Sequence, residues 1–159
     1  MKLEIAVTGQ NKATITESPG IVTLITEDEI RESGARDLLD ILRMVPGLDF
    51  GAELDNVIGF GVRGNNATEG KVLVLIDGQQ MNETNYGSFP FGQHILPDNI
   101  KRIEIIRGPG SAIYGGMAEL AVINIITRKG TDINGINISA EVAASESMMS
   151  RGSFQMATG

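Results

Sequence analysis

Residues 121–127 read AVINIIT and residues 72–76 read VLVLI, and these two stretches decide the fold. Both are short, rich in β-branched side chains and bounded by loops that carry Gly, Asn or Pro, which is typical of buried strands. Neither approaches the roughly 20 apolar residues that a membrane-spanning helix needs. Residues 21–25, 57–62 and 101–106 have the same character. We therefore predict a β-sheet built from these segments.

Two short helices are predicted between the first of these strands and the rest. Residues 26–29, TEDE, form a capping box, in which a Thr hydroxyl and a Glu carboxylate satisfy backbone N–H groups at a helix start. Gly34 ends this helix. Residues 35–44 place apolar side chains on one helical face, and the Pro-Gly pair at residues 46–47 stops the second helix. Strands combined with short helices predict the α+β fold class.

Composition excludes several classes of protein. The chain has 159 residues, a formal net charge of −7, 42% hydrophobic residues and 20 glycines, which fits one compact domain with a modest core. The acidic balance argues against a nucleic-acid partner, because phosphate binding needs clustered Lys and Arg. The sequence contains no cysteine, which excludes disulfides and thiolate metal sites.

Two glycine-rich motifs suggest nucleotide binding, but neither fits. Residues 59–64, GFGVRG, match the dinucleotide pattern, yet residues 65–70 predict a loop rather than the helix that would hold a pyrophosphate. Residues 64–71 resemble a P-loop, but Val72 stands where a Ser or Thr must reach magnesium. The single His94 has no second imidazole or thiolate with which to form a triad or zinc site. We therefore expect no enzyme activity, catalytic residue, metal or cofactor.

The tail of the chain has a different pattern. Residues 135–145, GINISAEVAAS, alternate apolar side chains with polar or small ones. A transmembrane barrel strand needs such strict alternation, with apolar side chains toward lipid and polar ones toward the lumen. An ordinary amphipathic edge strand shows the same alternation, so this segment alone leaves both interpretations open.

Four groups of motifs occur in a fixed order along the chain. They are SPGIVTLIT at residues 18–26, DLL with VPGL at residues 37–39 and 45–48, VRG with VLIDG at residues 62–64 and 74–78, and IEIIRGP with VINIIT at residues 103–109 and 122–127. Each motif alone is common. The ordered set resembles the plug domain of TonB-dependent outer-membrane receptors, over about residues 3–130.

The resemblance implies a domain organisation. The plug of this family is a small mixed β-sheet with two or three short helices, and it fills the lumen of a barrel of roughly 22 strands. Residues 1–130 would be the plug, and residues 131–159 would be the start of the barrel, truncated after its first strand and part of the second. Residues 1–4 lack the apolar run of a secretory signal. We expect a soluble, periplasm-facing fragment of a receptor of the cell outer membrane.

The resemblance also implies a contact with TonB. The segment Glu4, Ile5, Ala6, Val7 and Thr8 resembles a TonB box, and a short β-prone segment at a free end can add to the edge of a partner's sheet. The same residues could instead be the first strand of the plug, with the true box upstream. Residues 1–9 therefore have two interpretations.

Two arginines are the residues that the resemblance assigns to docking against the barrel. Arg63 and Arg107 each follow an apolar strand and precede a glycine, and in this family they pair with acidic residues on the inner wall of the barrel. A guanidinium fork suits that geometry, and a buried charge without a partner is costly. The alternative is a surface arginine at a strand end.

The ligand of this family meets loops at the outer apices of the plug. By motif position these are residues 65–70 and 82–91, of which the second lies in the longest predicted loop, residues 79–98. Four residues are predicted to contact a metal chelate or other small ligand: Asn65, Asn66, Tyr86 and Phe89. Phe89 could instead pack under its own loop.

These implications describe a ligand-gated cork in a transporter for a scarce nutrient, most often a ferric siderophore in this family. The expected partners are the protein's own β-barrel, TonB and the ligand. The alternative function is a free-standing soluble binding module that uses the plug fold without a barrel.

Overall fold

The computed structural model describes residues 4–5, 13–14, 21–52, 58–91, 95–108, 114–132, 135–143 and 149–157. In chain order, the described elements are β1 Glu4–Ile5, β2 Ala13–Thr14, β3 Ile21–Thr26, α1 Glu27–Ser33, α2 Leu38–Arg43, β4 Leu48–Ala52, β5 Ile58–Val62, β6 Asn65–Asn66, β7 Val72–Ile76, β8 Gln79–Gln80, a 3₁₀ turn at Pro97–Asn99, β9 Ile100–Arg107, β10 Ala121–Thr127, a 3₁₀ turn at Gly130–Asp132, β11 Gly135–Ala143 and β12 Met149–Ala157.

The chain divides into two compact units, Met1–Thr127 and Arg128–Gly159. The predicted boundary after residue 130 lies close to this division, and the assignment of the two parts to plug and barrel stays a prediction. No helix in the described part of the chain is long and apolar enough to cross a membrane.

The first unit is organised around a mixed sheet with the order β3-β9-β10-β7-β8. The pairing of β10 with β7 is parallel, whereas β3 with β9, β9 with β10, and β7 with β8 are antiparallel. Strand β10 lies at the centre, where Ile123 pairs with Ile105 on one side and Val74 on the other. The predicted α+β fold with a small mixed sheet and short helices is confirmed.

Both faces of this sheet are covered by apolar side chains, which explains why its central strands read as continuous hydrophobic runs. One face carries Ile103, Ile105 and Ile123 and packs against α1, α2 and β4–β5. The other face carries Leu73 and Val122 and packs against residues that precede β10. These three isoleucines are 0% exposed, so the centre of the sheet is strongly buried.

The helices begin at side-chain caps. Thr26 and Glu29 form the predicted capping box at α1, and Gly34 ends the helix with a φ of 66°. Helix α2 was predicted over residues 35–44 but spans Leu38–Arg43. It starts late because the Asp37 carboxylate accepts a hydrogen bond from the Asp40 N–H at 2.9 Å and so caps the helix there.

A second sheet, β4-β5-β6, was only partly predicted. Its strand β5 corresponds to predicted residues 57–62, but β4 was missed because LDFGA is short, has no β-branched residue and contains Asp and Gly, which are depleted in strands. Phe50 of β4 stacks on Phe60 of β5 with ring centroids 4.7 Å apart. This cross-strand aromatic pair is a tertiary contact that the local sequence does not indicate.

The predicted long loop over residues 79–98 is shorter than expected. Asp77 and Gly78 have positive φ values of 49° and 81° and form the tight turn of a β7–β8 hairpin, so Gln79–Gln80 is a strand. The 3₁₀ turn Pro97–Asn99 ends the loop by leading directly into β9.

The second unit contains an antiparallel pair of strands, β11 and β12, in register from Gly135 with Ala157 to Ala143 with Met149. The alternating segment predicted over residues 135–145 is therefore a strand over most of its length. Its identification as a barrel strand stays a prediction.

Candidate ligand-binding and docking sites

The predicted TonB-box segment lies partly within the described residues. Glu4 and Ile5 form β1, which pairs antiparallel with Ala13–Thr14 of β2. Ala6, Val7 and Thr8 lie outside the described residues. Both sequence interpretations of this segment, a TonB box or a first strand, stay predictions.

The two predicted ligand loops touch each other at a pair of glycines. Gly70 and Gly87 have φ values of +65° and +64°, and a Cβ on Gly87 would lie 2.6 Å from the Cα of Gly70. No side chain fits at that distance, so the two backbones can meet only because residue 87 lacks one, whereas a Cβ on Gly70 would lie 3.6 Å from the Cα of Gly87. Met117 lies beside the same contact, with its Cε 3.6 Å from the Cβ position of Gly87. The structure thus brings the two predicted loops together.

Asn82 anchors the second loop, although sequence reasoning did not select it. Its Oδ1 accepts from the Val74 N–H at 2.7 Å, and its Nδ2 donates to the carbonyl oxygens of Val72 at 2.8 Å and Gly87 at 2.7 Å. The side chain therefore continues the edge pairing of β7 beyond β8 and holds Gly87 near Gly70. An asparagine in a polar loop carries no sequence signal of this role.

Tyr86 lies on a turn that is stabilised by hydrogen bonds within residues 83–88, and its side chain faces solvent. The Glu83 carboxylate accepts from the Tyr86 N–H at 3.1 Å and from the Ser88 hydroxyl at 3.1 Å. The Tyr86 side chain is 75% exposed. An exposed aromatic ring on an ordered turn can contact a ligand at little entropic cost.

Asn65 and Asn66 are exposed, but their side chains also stabilise the first loop. The Asn65 Nδ2 donates to the Val62 carbonyl oxygen at 3.4 Å, and the Asn66 Oδ1 accepts from the Thr68 N–H at 2.9 Å. These contacts hold the first loop in its observed conformation.

A cavity of about 730 Å³ lies between the two loops and the strands beneath them. Its apolar lining includes Phe60, Val74 and Phe89, while Asn82 and Glu83 contribute polar groups. A concave apolar site with a few polar groups is typical of small-ligand binding.

Two interpretations of Phe89 were open from sequence: contact with a ligand, and packing under its own loop. Its ring packs edge-on against Phe91 at 4.9 Å, and Phe91 lies 5.1 Å from Phe60, so the loop packs on the core. Phe89 is only partly buried and lines the cavity. The structure therefore gives it a packing role and leaves one side available.

Arg63 occupies a strained turn. Together with Gly64 it connects β5 to β6, with φ values of 52° and 77°. A long side chain rarely adopts a left-handed conformation, in which Asn, Asp and Gly are preferred. Arg63 is exposed, and its guanidinium has no hydrogen-bond or ion-pair partner among the described residues. Residues in sparsely populated backbone conformations persist where the surrounding structure holds them, and they cluster at functional sites.

Arg107, by contrast, uses its guanidinium inside the unit. Nη2 donates to the Thr23 hydroxyl at 2.7 Å, and Nη1 donates to the carbonyl oxygen of Pro46. The Nε atom is buried and has no hydrogen-bond partner in the part of the chain that the structure describes.

Gly47 of the VPGL motif lies beside the arginines of the VRG and IEIIRGP motifs. Its carbonyl oxygen accepts from the Arg63 N–H at 2.8 Å. A Cβ at Gly47 would lie 3.4 Å from the Arg63 Cγ and 3.8 Å from the Arg107 Nη1. The two arginines predicted for docking are therefore neighbours, and the VPG turn lies between them.

A buried charged group on the second face of the sheet was not predicted. Glu104 is 1% exposed and accepts from the Arg102 Nε at 2.8 Å and from the Asn124 Nδ2 at 3.1 Å. Burial, and secondarily the charge of Glu104, raises the pKa of Tyr114 to about 12. Within the described residues, no three His, Cys, Asp or Glu side chains gather into a group that could hold a metal.

Residues 14–122 match the TonB-dependent receptor plug domain family, and because the match covers most of the chain, the chain belongs to that family. The resemblance inferred from the ordered motifs is confirmed.

Particular relatives are transporters and receptors. The chain is 37% identical over 124 residues to the vitamin B12 transporter BtuB of Vibrio vulnificus (strain CMCP6), a match that covers 74% of this chain and 19% of that protein. It is 36% identical over 132 residues to the ferrienterobactin receptor of Escherichia coli (strain K12), covering 72% of this chain and 17% of that protein.

The chain is also similar to a solved receptor structure. The siderophore receptor PirA from Acinetobacter baumannii is 28% identical, with a TM-score of 0.60, over 80% of this chain and 20% of that one. The chain spans about a fifth of the length of these relatives. Their names describe transport or ligand reception, which is consistent with a chain that is not an enzyme.

Proposed function

We propose that this chain is the plug of a TonB-dependent transporter of the outer membrane, and that ligand binds at the paired loops of residues 65–70 and 82–91. The observation that carries the proposal is the contact between Gly70 and Gly87 beside the 730 Å³ cavity. Because the loops touch, a ligand held by both can shift them as one body.

The proposed ligand is a ferric siderophore. The relatives named for siderophores and for ferrienterobactin support it. The identity to a vitamin B12 transporter favours a corrinoid as the second candidate. Tyr86, Phe89 and the amides of Asn65 and Asn66 would supply aromatic and hydrogen-bonding contacts to either ligand.

For docking, we propose that Arg63 pairs with a carboxylate on the inner wall of the barrel. Its exposure, its strained φ and its lack of a partner among the described residues support this role. Arg107 was predicted to dock in the same way, and it stands beside Arg63 at Gly47. Its two Nη atoms already have partners within the unit, so the docking proposal rests more on Arg63.

We further propose that residues 4–8 reach periplasmic TonB, which then pulls on the N-terminal side of the plug. The short strand β1 is suited to addition at a sheet edge. Deleting residues 4–8 in the complete receptor should abolish uptake and leave ligand binding intact. Unchanged uptake would remove this segment from the mechanism.

Ligand binding is tested with the complete receptor in outer-membrane vesicles. The probes are ferric enterobactin and cyanocobalamin, and the variant is Gly87→Ala, which drives the loops apart. We expect at least about tenfold weaker binding of the probe that the parent receptor binds, since a misplaced contact loop is costly. Gly116→Ala is the matched control, because its Cβ would meet nothing within 4 Å.

Two outcomes would contradict the proposal. If the parent receptor binds cyanocobalamin and does not bind ferric enterobactin, the proposed siderophore ligand is wrong. If Gly87→Ala and Gly116→Ala bind equally well, the paired loops are not the site. The rival function, a free-standing binding module, requires the chain Met1–Gly159 to bind a probe by itself, without a barrel.

A further inference from the structure

Strand β3 is an edge of the central sheet and the least buried of its long strands. Its described pairing partner is β9, whereas β10 has neighbours on both sides. Ile25 is buried, but Ile21 is 57% exposed. Because an edge strand shares one ladder of hydrogen bonds, β3 can leave the sheet while β9, β10 and β7 stay paired.

Arg107 fastens this strand at its N-terminal end. Ile21 and Arg107 are directly opposite each other in the β3–β9 register. From there, the guanidinium reaches the Thr23 hydroxyl at 2.7 Å and the carbonyl oxygen of Pro46. It therefore joins β3, β9 and the turn after α2 through hydrogen bonds in which the donor is charged, and such bonds are stronger than neutral ones.

This end of β3 is also the end at which tension from the N-terminal side arrives. The residues before Ile21 lead into the strand at its pairing with Arg107, so peeling starts there and proceeds toward Thr26. The Thr23 contact must break before the pairs at Leu24 and Ile25 can open. At the far end, the capping box joins Thr26 to α1.

We propose that Arg107 is a latch on β3. The contacts of Arg107 with Thr23 and Pro46 keep β3 on the sheet, and the loss of these contacts lets β3 detach before the other strands. In the complete receptor the latch determines when the plug begins to loosen under tension from TonB, and in that respect the proposal rests on the proposed function. Arg107 is then a positioning residue inside the plug, in contrast to the exposed Arg63.

The test is hydrogen–deuterium exchange, read by mass spectrometry, on the chain Met1–Gly159. Thr23→Val removes the hydroxyl but keeps a β-branched side chain. We expect exchange at residues 22–26 to become about tenfold faster, as for the loss of a hydrogen bond to a charged group, with exchange in β10 unchanged. Thr23→Ser keeps the hydroxyl and should exchange like the parent chain.

A matched pair of arginine variants separates the latch from general effects at Gly47. Arg107→Gln should accelerate hydrogen exchange in β3 at least as much as Thr23→Val does. Arg63→Gln should leave the exchange rate of β3 unchanged. If Arg107→Gln does not fold, the comparison of Thr23→Val with Thr23→Ser still decides. The proposal is overturned if β3 of Thr23→Val exchanges at the same rate as β3 of the parent chain. It is also overturned if hydrogen exchange in β3 and in β10 becomes faster by the same factor.

This experiment needs neither ligand, TonB nor barrel. A latch found here stands even if the complete receptor binds neither probe. Conversely, loss of the latch proposal leaves the ligand-binding test of Gly87→Ala untouched.

Discussion

Strands β3 and β10 belong to one sheet but are held in different ways. Strand β10 lies between β9 and β7 and is buried from Ala121 to Ile125, whereas β3 lies at the edge. The end of β10 is clamped by Asp77, whose carboxylate accepts from the N–H and the hydroxyl of Thr127. The start of β3 depends on polar contacts with Arg107.

The difference teaches how one small unit can combine a fixed part with a releasable part. Burial extends over Ala121 to Ile125 of β10, so we expect this strand to open only with the core. Strand β3 pairs with β9 alone among the described strands, and polar contacts at its two ends add to this pairing. The proposed loosening of the plug from its N-terminal side depends on this difference between β3 and β10.

The largest expected contrast comes from truncating one isoleucine in each strand. Ile123→Ala should cost about 2–5 kcal/mol of unfolding free energy, because Ile123 is 0% exposed. Ile21→Ala, at 57% exposure, should change it by less than about 0.5 kcal/mol. Urea denaturation of the chain measures both, and similar losses would contradict the contrast.

The clamp on β10 gives the next largest effect. Asp77→Ala removes both contacts to Thr127 and places Ala at a φ of 49°, so we expect a loss of about 1–3 kcal/mol. Asp77→Asn keeps an acceptor and tolerates this φ, so its loss should be smaller. Hydrogen exchange should accelerate at residues 125–127; equal acceleration in β3 would show that the two ends are not independent.

The far end of β3 is tested through the capping box of α1. Thr26→Ala should cost about 1 kcal/mol, because the Glu29 N–H loses its acceptor. Thr26→Ser preserves the hydroxyl and serves as the control. Helix content by circular dichroism and urea denaturation report the change, and a neutral Thr26→Ala would mean that the cap does not hold this end.

The smallest effect is a pH dependence of the same cap. Hydrogen bonds from the backbone and side chain of Thr26 lower the pKa of Glu29 in the folded state. Their stabilising effect is therefore fully present above the unfolded pKa of about 4.3 and is lost as the pH falls through the lower folded value. Glu29→Gln should remove this contribution. Denaturation of both proteins between neutral and acidic pH would show parallel curves if the cap does not titrate.

The strands of the central sheet could be predicted because their buried runs are local signals. The run in β7 is continuous and apolar, the run in β10 is interrupted within its apolar part only by Asn124, and the capping box at α1 is readable from four residues. Strand β4 was missed because its place depends on the stacking of Phe50 on Phe60, a contact between separate segments. The start of α2 depended on whether Asp37 caps it.

The sequence motifs predicted where a candidate site would lie, but the contacts within that region could not be predicted from sequence. The motifs indicated the loops and the two arginines, yet only folding brings the VPG turn between Arg63 and Arg107. The burial of Glu104 and the three hydrogen bonds of the Asn82 side chain likewise depend on residues distant in sequence. Such contacts have no local period or spacing that would reveal them.

The most direct test of the account is native-state hydrogen exchange of the unsubstituted chain at low, increasing urea concentration. We predict that the amides of β3 exchange through an opening of lower free energy, at least about tenfold faster than those of β10, before global unfolding begins. If the amides of Leu24 and Ile123 exchange with the same protection at every urea concentration, the sheet opens as one unit and the account is wrong.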